Sequence, residues 1–217
     1  MNELTLTQLK SEVQGFIHVL SATPILLLYG ATDGKAVGTY VEQAFHKYLG
    51  EQYIYVLGHS ASGIDFPELE VDIKATSIKQ PQSSCPFRNA SQKVYGLGYH
   101  LLIFVYEKLD KHDVRAAQLT FHHVVFVERE QTGDYQTTYG IKGILSRNGN
   151  KDDIIAFLEE RNLPLDELGR ETLAEYILLN PPKIGYLTVS NALQWRLQYG
   201  RAIGVAGTIQ GVEEWLG

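Results

Sequence analysis

The stretch Gly63-Ile-Asp-Phe-Pro-Glu-Leu-Glu-Val-Asp-Ile-Lys-Ala-Thr-Ser77 carries the most informative pattern in the chain. Apolar and polar residues alternate from 68 to 78, which predicts a β-strand with one buried and one polar face. Asp72 and Lys74 are two positions apart, so their side chains leave the same, polar face. Asp65 precedes the strand, and a fold-back of the chain would bring its carboxylate to that face as well.

These three side chains suit one kind of chemistry. Two carboxylates with free oxygens form a site for a hard cation such as Mg²⁺. A neighbouring lysine can orient or deprotonate a water molecule, or stabilise charge on a phosphate. Asp65, Asp72 and Lys74 are therefore predicted to hydrolyse a phosphodiester. A second acid-x-Lys pattern, Asp33-Gly34-Lys35, precedes a helix with no strand around it, and we interpret it as a helix-entry signal.

Helical and strand-like patterns alternate along the chain. Apolar spacing predicts helices at residues 3–20, 35–49, 89–97, 137–147, 151–161, 166–178 and 188–199. Strands are predicted at 53–57, 68–78, 99–109 and 119–128, the last two in a hairpin. This order predicts an α/β fold with a central mixed β-sheet flanked by helices, in a single domain over residues 1–217.

The composition is that of a globular protein with a sizeable core, since 44% of the residues are hydrophobic and 20% are charged. The single cysteine, Cys85, excludes an internal disulfide framework and a multi-cysteine zinc site, and a reducing cytoplasm is the expected compartment. No apolar run has the length of a membrane span, and the first residues lack the pattern of a signal peptide, so we expect no membrane association.

The charge distribution leaves two interpretations open. A net charge of −6 argues against binding to nucleic acid. Residues 73–106 and 176–212, however, contain lysines and arginines but no acid, whereas acids predominate between 151 and 175. The folded chain would then present a basic face opposite an acidic one, unless the clustering is a chance fluctuation.

The segment around the strand resembles the PD-(D/E)xK nucleases, which include many type II restriction enzymes. It is most similar to the strand-nicking endonuclease of methyl-directed mismatch repair and its related restriction enzymes, in which Asp-Phe-Pro-x-Leu leads into an acid-x-Lys strand. The matching residues here are Asp65-Phe66-Pro67-Glu68-Leu69 and Asp72-Ile73-Lys74. An upstream helix of that family supplies a glutamate, matched here by Glu42. The resemblance covers about residues 35–79 and departs at Asp72, where those relatives have Glu.

The resemblance implies a restriction-endonuclease-like core over about residues 35–130 and Mg²⁺ bound by Asp65, Asp72 and the Ile73 backbone carbonyl. Lys74 would position the attacking water, and Glu42 would assist. The implied activity is that of a type II site-specific deoxyribonuclease on double-stranded DNA, paired with a DNA methyltransferase and compatible with a homodimer. The alternatives are a strand-nicking repair endonuclease, a catalytically silent DNA-binding protein of the same fold, and an enzyme acting on small phosphorylated substrates.

Residues outside the strand are candidates for DNA contact. The acid-free loop 79–91 contains side chains that bind base edges or phosphates, although a surface loop held by its prolines is the alternative. Lys93 follows it, and the helical C-terminal part, about 137–217, would contribute through helix 188–199 unless that helix only packs through its apolar face. The candidate DNA-binding residues are Lys79, Gln82, Ser84, Arg88, Asn89, Lys93, Arg196 and Arg201.

Overall fold

The computed structural model describes residues 2–58, 63–84, 89–190 and 196–217. The strands are β1 (Asn2–Glu3), β2 (Tyr53–Ile54), β3 (Val71–Ser77), β4 (Gln82–Ser84), β5 (His100–Lys111), β6 (Ala116–Val127), β7 (Thr188–Val189), β8 (Arg196–Gln198) and β9 (Val212–Glu214). The α-helices are α1 (Leu6–Ala22), α2 (Gly34–Gly50), α3 (Gln92–Tyr95), α4 (Tyr135–Ser146), α5 (Lys151–Glu160), α6 (Glu167–Leu179) and α7 (Gly200–Val205).

The chain forms two compact units. The first comprises Met1–Pro81, His100–Phe126 and Ala206–Gly217. The second comprises Gln82–Tyr99 and Val127–Val205.

The first unit contains a four-stranded sheet in the order β3-β5-β6-β9. β3 runs parallel to β5, with Val71 opposite His100 and Ser77 opposite Tyr106. β5 and β6 are neighbours joined by the short connection 112–115, which requires them to be antiparallel. The sheet is therefore mixed, and the predicted α/β class and the predicted hairpin are confirmed.

Helices α1 and α2 share one hydrophobic core with β3, β5 and β6. α1 begins with a capping box between Thr5 and Gln8. α2 begins after Asp33, whose carboxylate accepts a hydrogen bond from the Lys35 amide. Both helices were predicted from apolar spacing, and the interpretation of Asp33-Gly34-Lys35 as a helix-entry signal is confirmed.

α2 and β3 approach each other closely. A Cβ atom added at Gly38 would lie 3.3 Å from the carbonyl oxygen of Ala75 in β3. Only a residue without a side chain fits this contact without displacement of the neighbouring backbone.

The second unit combines helices with a small sheet. α3, α4, α5 and α6 contribute to a separate core, which includes Ile141, Ile154, Leu158 and Ile177. β8 pairs antiparallel with both β4 and β7. The buried Asp134 caps α4 through the Thr137 amide and also accepts the amide of Val189 in β7. Helices at 137–147, 151–161 and 166–178 were predicted, and α4, α5 and α6 confirm them.

The predicted helix at 188–199 is wrong, because this segment contains β7 and β8, with residues 191–195 outside the described part of the chain. Between 196 and 199, exposed Arg196 and Gln198 alternate with fully buried Leu197 and Tyr199. That period of two is the pattern of a strand, and the pairing of β8 with β4, more than one hundred residues earlier, satisfies its backbone.

Two other predicted elements are shorter than expected. The predicted helix 89–97 is reduced to α3, which stops at Gly96 with φ 84°. The predicted strand 53–57 retains only β2, which pairs with β1. Within the described residues, no helix is long and apolar enough to cross a membrane.

Candidate active site

A tight fold-back before β3 brings Asp65 to the strand. Phe66 and Val71 exchange backbone hydrogen bonds of 2.9 and 3.2 Å around a short 3-10 helix, Pro67–Leu69. Glu70 closes the turn in the left-handed region, with φ 53°. Asp65 Oδ2 consequently accepts a 2.7 Å hydrogen bond from the amide of Ile73. The predicted meeting of Asp65 with the polar side of the strand is present in the structure.

Asp72 and Lys74 leave β3 on the same side, as the strand period requires. Lys74 Nζ lies 2.6 Å from Asp72 Oδ2 and donates a 3.0 Å hydrogen bond to the Ile73 carbonyl oxygen. Asp72 is only 3% exposed, so this contact is shielded from solvent. The two side chains therefore form a buried ion pair whose carboxylate retains binding capacity.

Burial and hydrogen bonding separate the pKa values of the two carboxyl groups. Burial raises the pKa of Asp72 to about 7, although the Lys74 ammonium acts in the opposite direction. Burial would also raise the pKa of Asp65, but hydrogen bonds with His46, Asp72 and the Ile73 amide together lower it. Near neutral pH, Asp65 is thus ionised while Asp72 exchanges its proton.

Lys74 and Glu42 are the other two charged groups of the site, and burial and neighbouring charges shift the pKa of each. Burial alone would lower the pKa of Lys74, but Asp72 first, then Asp65 and Glu42, raise it, so the ammonium stays charged. Burial raises the pKa of Glu42, with Lys74 opposing and Asp65 adding to the shift. Glu42 extends from α2 and is electrostatically coupled to the same three groups. All four residues predicted as catalytic lie in the first unit and are brought together there.

A divalent cation fits this set of donors. Asp65 and Asp72 supply carboxylate oxygens. Ile73 lies between them in the network, because its amide donates to Asp65 and its carbonyl oxygen accepts from Lys74. Asp72 is a nearly fully buried carboxylate whose Oδ2 is paired with one cation, Lys74 Nζ at 2.6 Å, and burial of such a pair is costly unless further interactions compensate it. Among the residues that the structure describes, no cluster of three or more His, Cys, Asp or Glu side chains forms a metal site. Two carboxylates and one carbonyl would leave room for the waters that Mg²⁺ retains.

One residue at the site was not assigned a role from the sequence. His46 lies one helical turn after Glu42, and its Nε2 is 3.5 Å from Asp65 Oδ1. The i, i+4 spacing of Glu42 and His46 was visible in the sequence, since it places both on one side of α2. Nothing in the local pattern showed that Asp65 would fold back against that side.

The candidate DNA-binding residues are distributed over both units. Lys79 lies in the first unit, exposed, two positions beyond β3. The others that the structure describes belong to the second unit: Gln82, Ser84, Asn89, Lys93, Arg196 and Arg201. Of these, Ser84, Asn89 and Arg196 are exposed, while Arg201 is exposed with its guanidinium 3.7 Å from the ring centre of Tyr135. Arg88 lies outside the described residues.

Lys93 is not placed for a phosphate contact. It is 2% exposed, and burial lowers its pKa, with Asp134 opposing the shift. Its backbone carbonyl accepts the Asp134 amide, which ties α3 to the start of α4. A phosphate contact requires a solvent-accessible ammonium, so the burial of Lys93 argues for a role inside the second unit instead.

The mixed sheet, the acid-x-Lys strand next to its fold-back, and the acidic side chain on the packed helix have the arrangement of a PD-(D/E)xK nuclease. The model of the family described as type II restriction enzyme NspV matches residues 3–214. The chain belongs to this family of type II restriction enzymes, which cleave DNA at specific sequences. The predicted class, a site-specific deoxyribonuclease, is thereby confirmed.

A curated relative gives the same result over nearly the whole chain. The type II restriction enzyme NspV of Nostoc sp. (strain ATCC 29411 / PCC 7524) is 57% identical over 212 residues, which cover 98% of this chain and 96% of the relative. No solved structure matches the chain. The closer similarity to the strand-nicking branch of mismatch repair stays a prediction.

Proposed function

We propose that Asp65, Asp72 and the Ile73 carbonyl bind Mg²⁺, and that this centre hydrolyses a phosphodiester of double-stranded DNA with the help of Lys74 and Glu42. The observation that carries the proposal is the state of Asp72, a buried carboxylate that is ion-paired with Lys74 at 2.6 Å and whose pKa burial raises to about 7. Such a group is unfavourable in a merely structural strand, and it suits a cation-binding site.

Lys74 is the residue that would act on the attacking water. An ammonium has three N–H donors, and here two of them point to Asp72 and to the Ile73 carbonyl. The remaining donor would hold a water oxygen and stabilise charge that develops on the phosphate. Mg²⁺, when bound, neutralises phosphate charge as a Lewis acid. The resemblance implies in-line attack that leaves a 5′-phosphate, with the proton passing to the departing 3′ oxygen.

The test is incubation of a large natural DNA with the wild type, Asp72→Ala and Lys74→Ala, in Mg²⁺ and in EDTA. We expect discrete fragments from the wild type in Mg²⁺ only. Each variant should lose at least about two orders of magnitude in cleavage rate, because each removes one group that stabilises the transition state. Sequencing the fragment ends would give the recognition sequence.

Lys35→Ala is the matched control, since Lys35 belongs to the second acid-x-Lys pattern, at the start of α2. It should cleave like the wild type. Cleavage that persists in Asp72→Ala and Lys74→Ala would show that the active site lies elsewhere. Supercoiled plasmid separates the alternatives: linear product indicates cleavage of both strands, whereas nicked circles alone indicate the strand-nicking activity.

We further propose a cognate DNA methyltransferase as functional partner and a two-fold homodimer acting on a palindromic site in the cytoplasm. Membership in a restriction-enzyme family supports the first, because a host needs its own sites protected. The symmetry match between a two-fold dimer and a palindrome supports the second. Sedimentation of the protein with and without its recognition sequence would give the number of chains in the complex, and one chain per site would contradict the dimer.

A further inference from the structure

His46 is held firmly in the first unit. Its side chain is 17% exposed, and its ring packs 4.8 Å from that of Phe66 and is stacked 6.0 Å from that of Tyr55. Tyr55 Oη donates a 2.8 Å hydrogen bond to the His46 carbonyl oxygen and lies 3.3 Å from the ring atom Nδ1. These contacts leave the ring little freedom and direct its other nitrogen, Nε2, towards Asp65.

Asp65 is consequently held through both of its oxygens. Oδ2 accepts the Ile73 amide at 2.7 Å, and Oδ1 lies 3.5 Å from His46 Nε2. An ionised carboxylate can only accept hydrogen bonds, so the imidazole nitrogen is the donor. With one donor on each oxygen, rotation of the carboxylate is restricted, and its remaining lone pairs keep a constant direction.

Phe66, the residue after Asp65, explains how these contacts are built. It is 1% exposed, and its ring packs against both Phe45 and His46 of α2. Phe66 thereby attaches the fold-back to the helix, and the preceding Asp65 is placed beside the next polar side chain of the helix, His46.

We propose that His46 is a positioning residue for the metal centre: it orients the Asp65 carboxylate for the divalent cation. The inference rests on the proposed function of Asp65 as a metal ligand. Donors to metal-binding carboxylates orient those ligands, and removal of such a group typically weakens metal binding or activity about 10- to 100-fold.

The experiment measures Mn²⁺ binding by isothermal titration calorimetry without DNA, together with the dependence of cleavage on Mg²⁺ concentration. His46→Ala should bind Mn²⁺ about tenfold more weakly than the wild type. His46→Gln places an amide N–H near the position of Nε2 and should recover most of the affinity. His46→Asn is too short to reach Asp65 and should remain weak.

Gln and Asn both remove the imidazole ring, so the difference between them reports the contact with Asp65 and not the lost packing. His18→Ala, at an exposed position of α1, is the matched histidine control and should bind like the wild type. If His46→Ala does not fold, the comparison of His46→Gln with His46→Asn still decides the question.

The outcomes separate this inference from the proposed function. Wild-type cleavage that depends on Asp72 and on the metal, combined with equal Mn²⁺ affinity in His46→Gln and His46→Asn, would overturn the role of His46 alone. Absence of Mn²⁺ binding in the wild type, or binding unaffected by Asp65→Ala, would overturn the metal centre itself.

Discussion

At the scale of single residues, the site uses burial to make two aspartates different. Asp65 has the Ile73 amide on one oxygen and His46 Nε2 at 3.5 Å from the other, and its pKa is lowered, whereas Asp72 is enclosed beside Lys74 and its pKa is raised. Burial of an ion pair costs desolvation free energy, and its persistence here is understandable if a divalent cation also binds the carboxylate. The unfavourable burial of Asp72 is thus explained by its proposed role as a metal ligand.

Metal binding should therefore weaken as the pH falls below about 7. The pKa of Asp72 is raised to about 7, so below that pH a proton competes with the cation for the carboxylate. We expect the apparent Mn²⁺ affinity to be constant above about pH 8 and to fall about tenfold per unit below about pH 7. Asp65, with its lowered pKa, stays ionised in this range and adds no such dependence.

Calorimetric titration at several pH values checks this expectation. Asp72→Asn, which cannot titrate, should bind weakly and without the pH dependence. A wild-type affinity that is the same across the whole range would contradict the raised pKa of Asp72.

At the scale of elements, the site is a junction between one helix and one edge of the sheet. α2 buries Val37, Val41, Phe45 and Leu49, which are spaced four apart, and the part-buried Glu42 and His46 lie beside this stripe, on the side of the fold-back. The junction is close because Gly38 meets the Ala75 carbonyl of β3 without a side chain between them. The distance between helix and strand therefore sets the distance between Glu42, Asp65 and Asp72.

A side chain at Gly38 should separate the two elements. Its Cβ would lie 3.3 Å from the Ala75 oxygen, and the further atoms of valine require α2 to shift. We expect Gly38→Val to lower the free energy of unfolding by about 1–3 kcal/mol and to reduce cleavage, because Glu42 and His46 shift with the helix. Urea unfolding and a cleavage assay measure the two effects.

Gly50→Val is the control in the same helix, since a Cβ there meets nothing within 4 Å. It should change both quantities much less. Equal effects of the two substitutions would mean that the valine acts through helix propensity and not through the contact with β3.

At the scale of the whole molecule, an acidic protein must bind a polyanion. The net charge is −6, so attraction to DNA has to come from local groups and not from the total charge; exposed Lys79 and Arg196 are the proposed candidates. The family match spans residues 3–214 and thus includes both compact units. The second unit, which contains most candidate DNA-binding residues, is consequently part of the shared enzyme and not an appendage.

DNA affinity should fall steeply as the salt concentration rises. In a plot of the logarithm of the association constant against the logarithm of the salt concentration, each phosphate contact contributes a slope of about −0.9. The measurement uses Lys74→Ala, in which we expect no cleavage. In that background, Lys79→Ala and Arg196→Ala should each reduce the slope by about one phosphate contact. Fluorescence anisotropy over a series of salt concentrations measures it.

Lys151→Ala is the control, because Lys151 lies in the acid-rich segment and pairs with Glu175 at 3.1 Å. The salt dependence of DNA binding by this variant should have the same slope as that of the Lys74→Ala protein. Unchanged slopes for Lys79→Ala and Arg196→Ala would remove both from the DNA-binding surface.

Local pattern was sufficient to predict part of this protein. The 3.6-residue period of α1 and α2 and the two-residue period of β3 are properties of neighbouring residues, so both helices and the shared face of Asp72 and Lys74 could be predicted without the fold. The family resemblance, which covers about residues 35–79, led to the class of enzyme that the full-length comparison confirms.

Contacts between residues distant in sequence were decided only by the tertiary structure. His46 reaches Asp65 because a fold-back packs Phe66 on α2, and Lys93 is buried although a charged side chain in a short helix is usually exposed. β8 is a strand because β4 and β7 supply its hydrogen-bond partners. Burial and pairing depend on which segments meet, and a single sequence window contains no information on that.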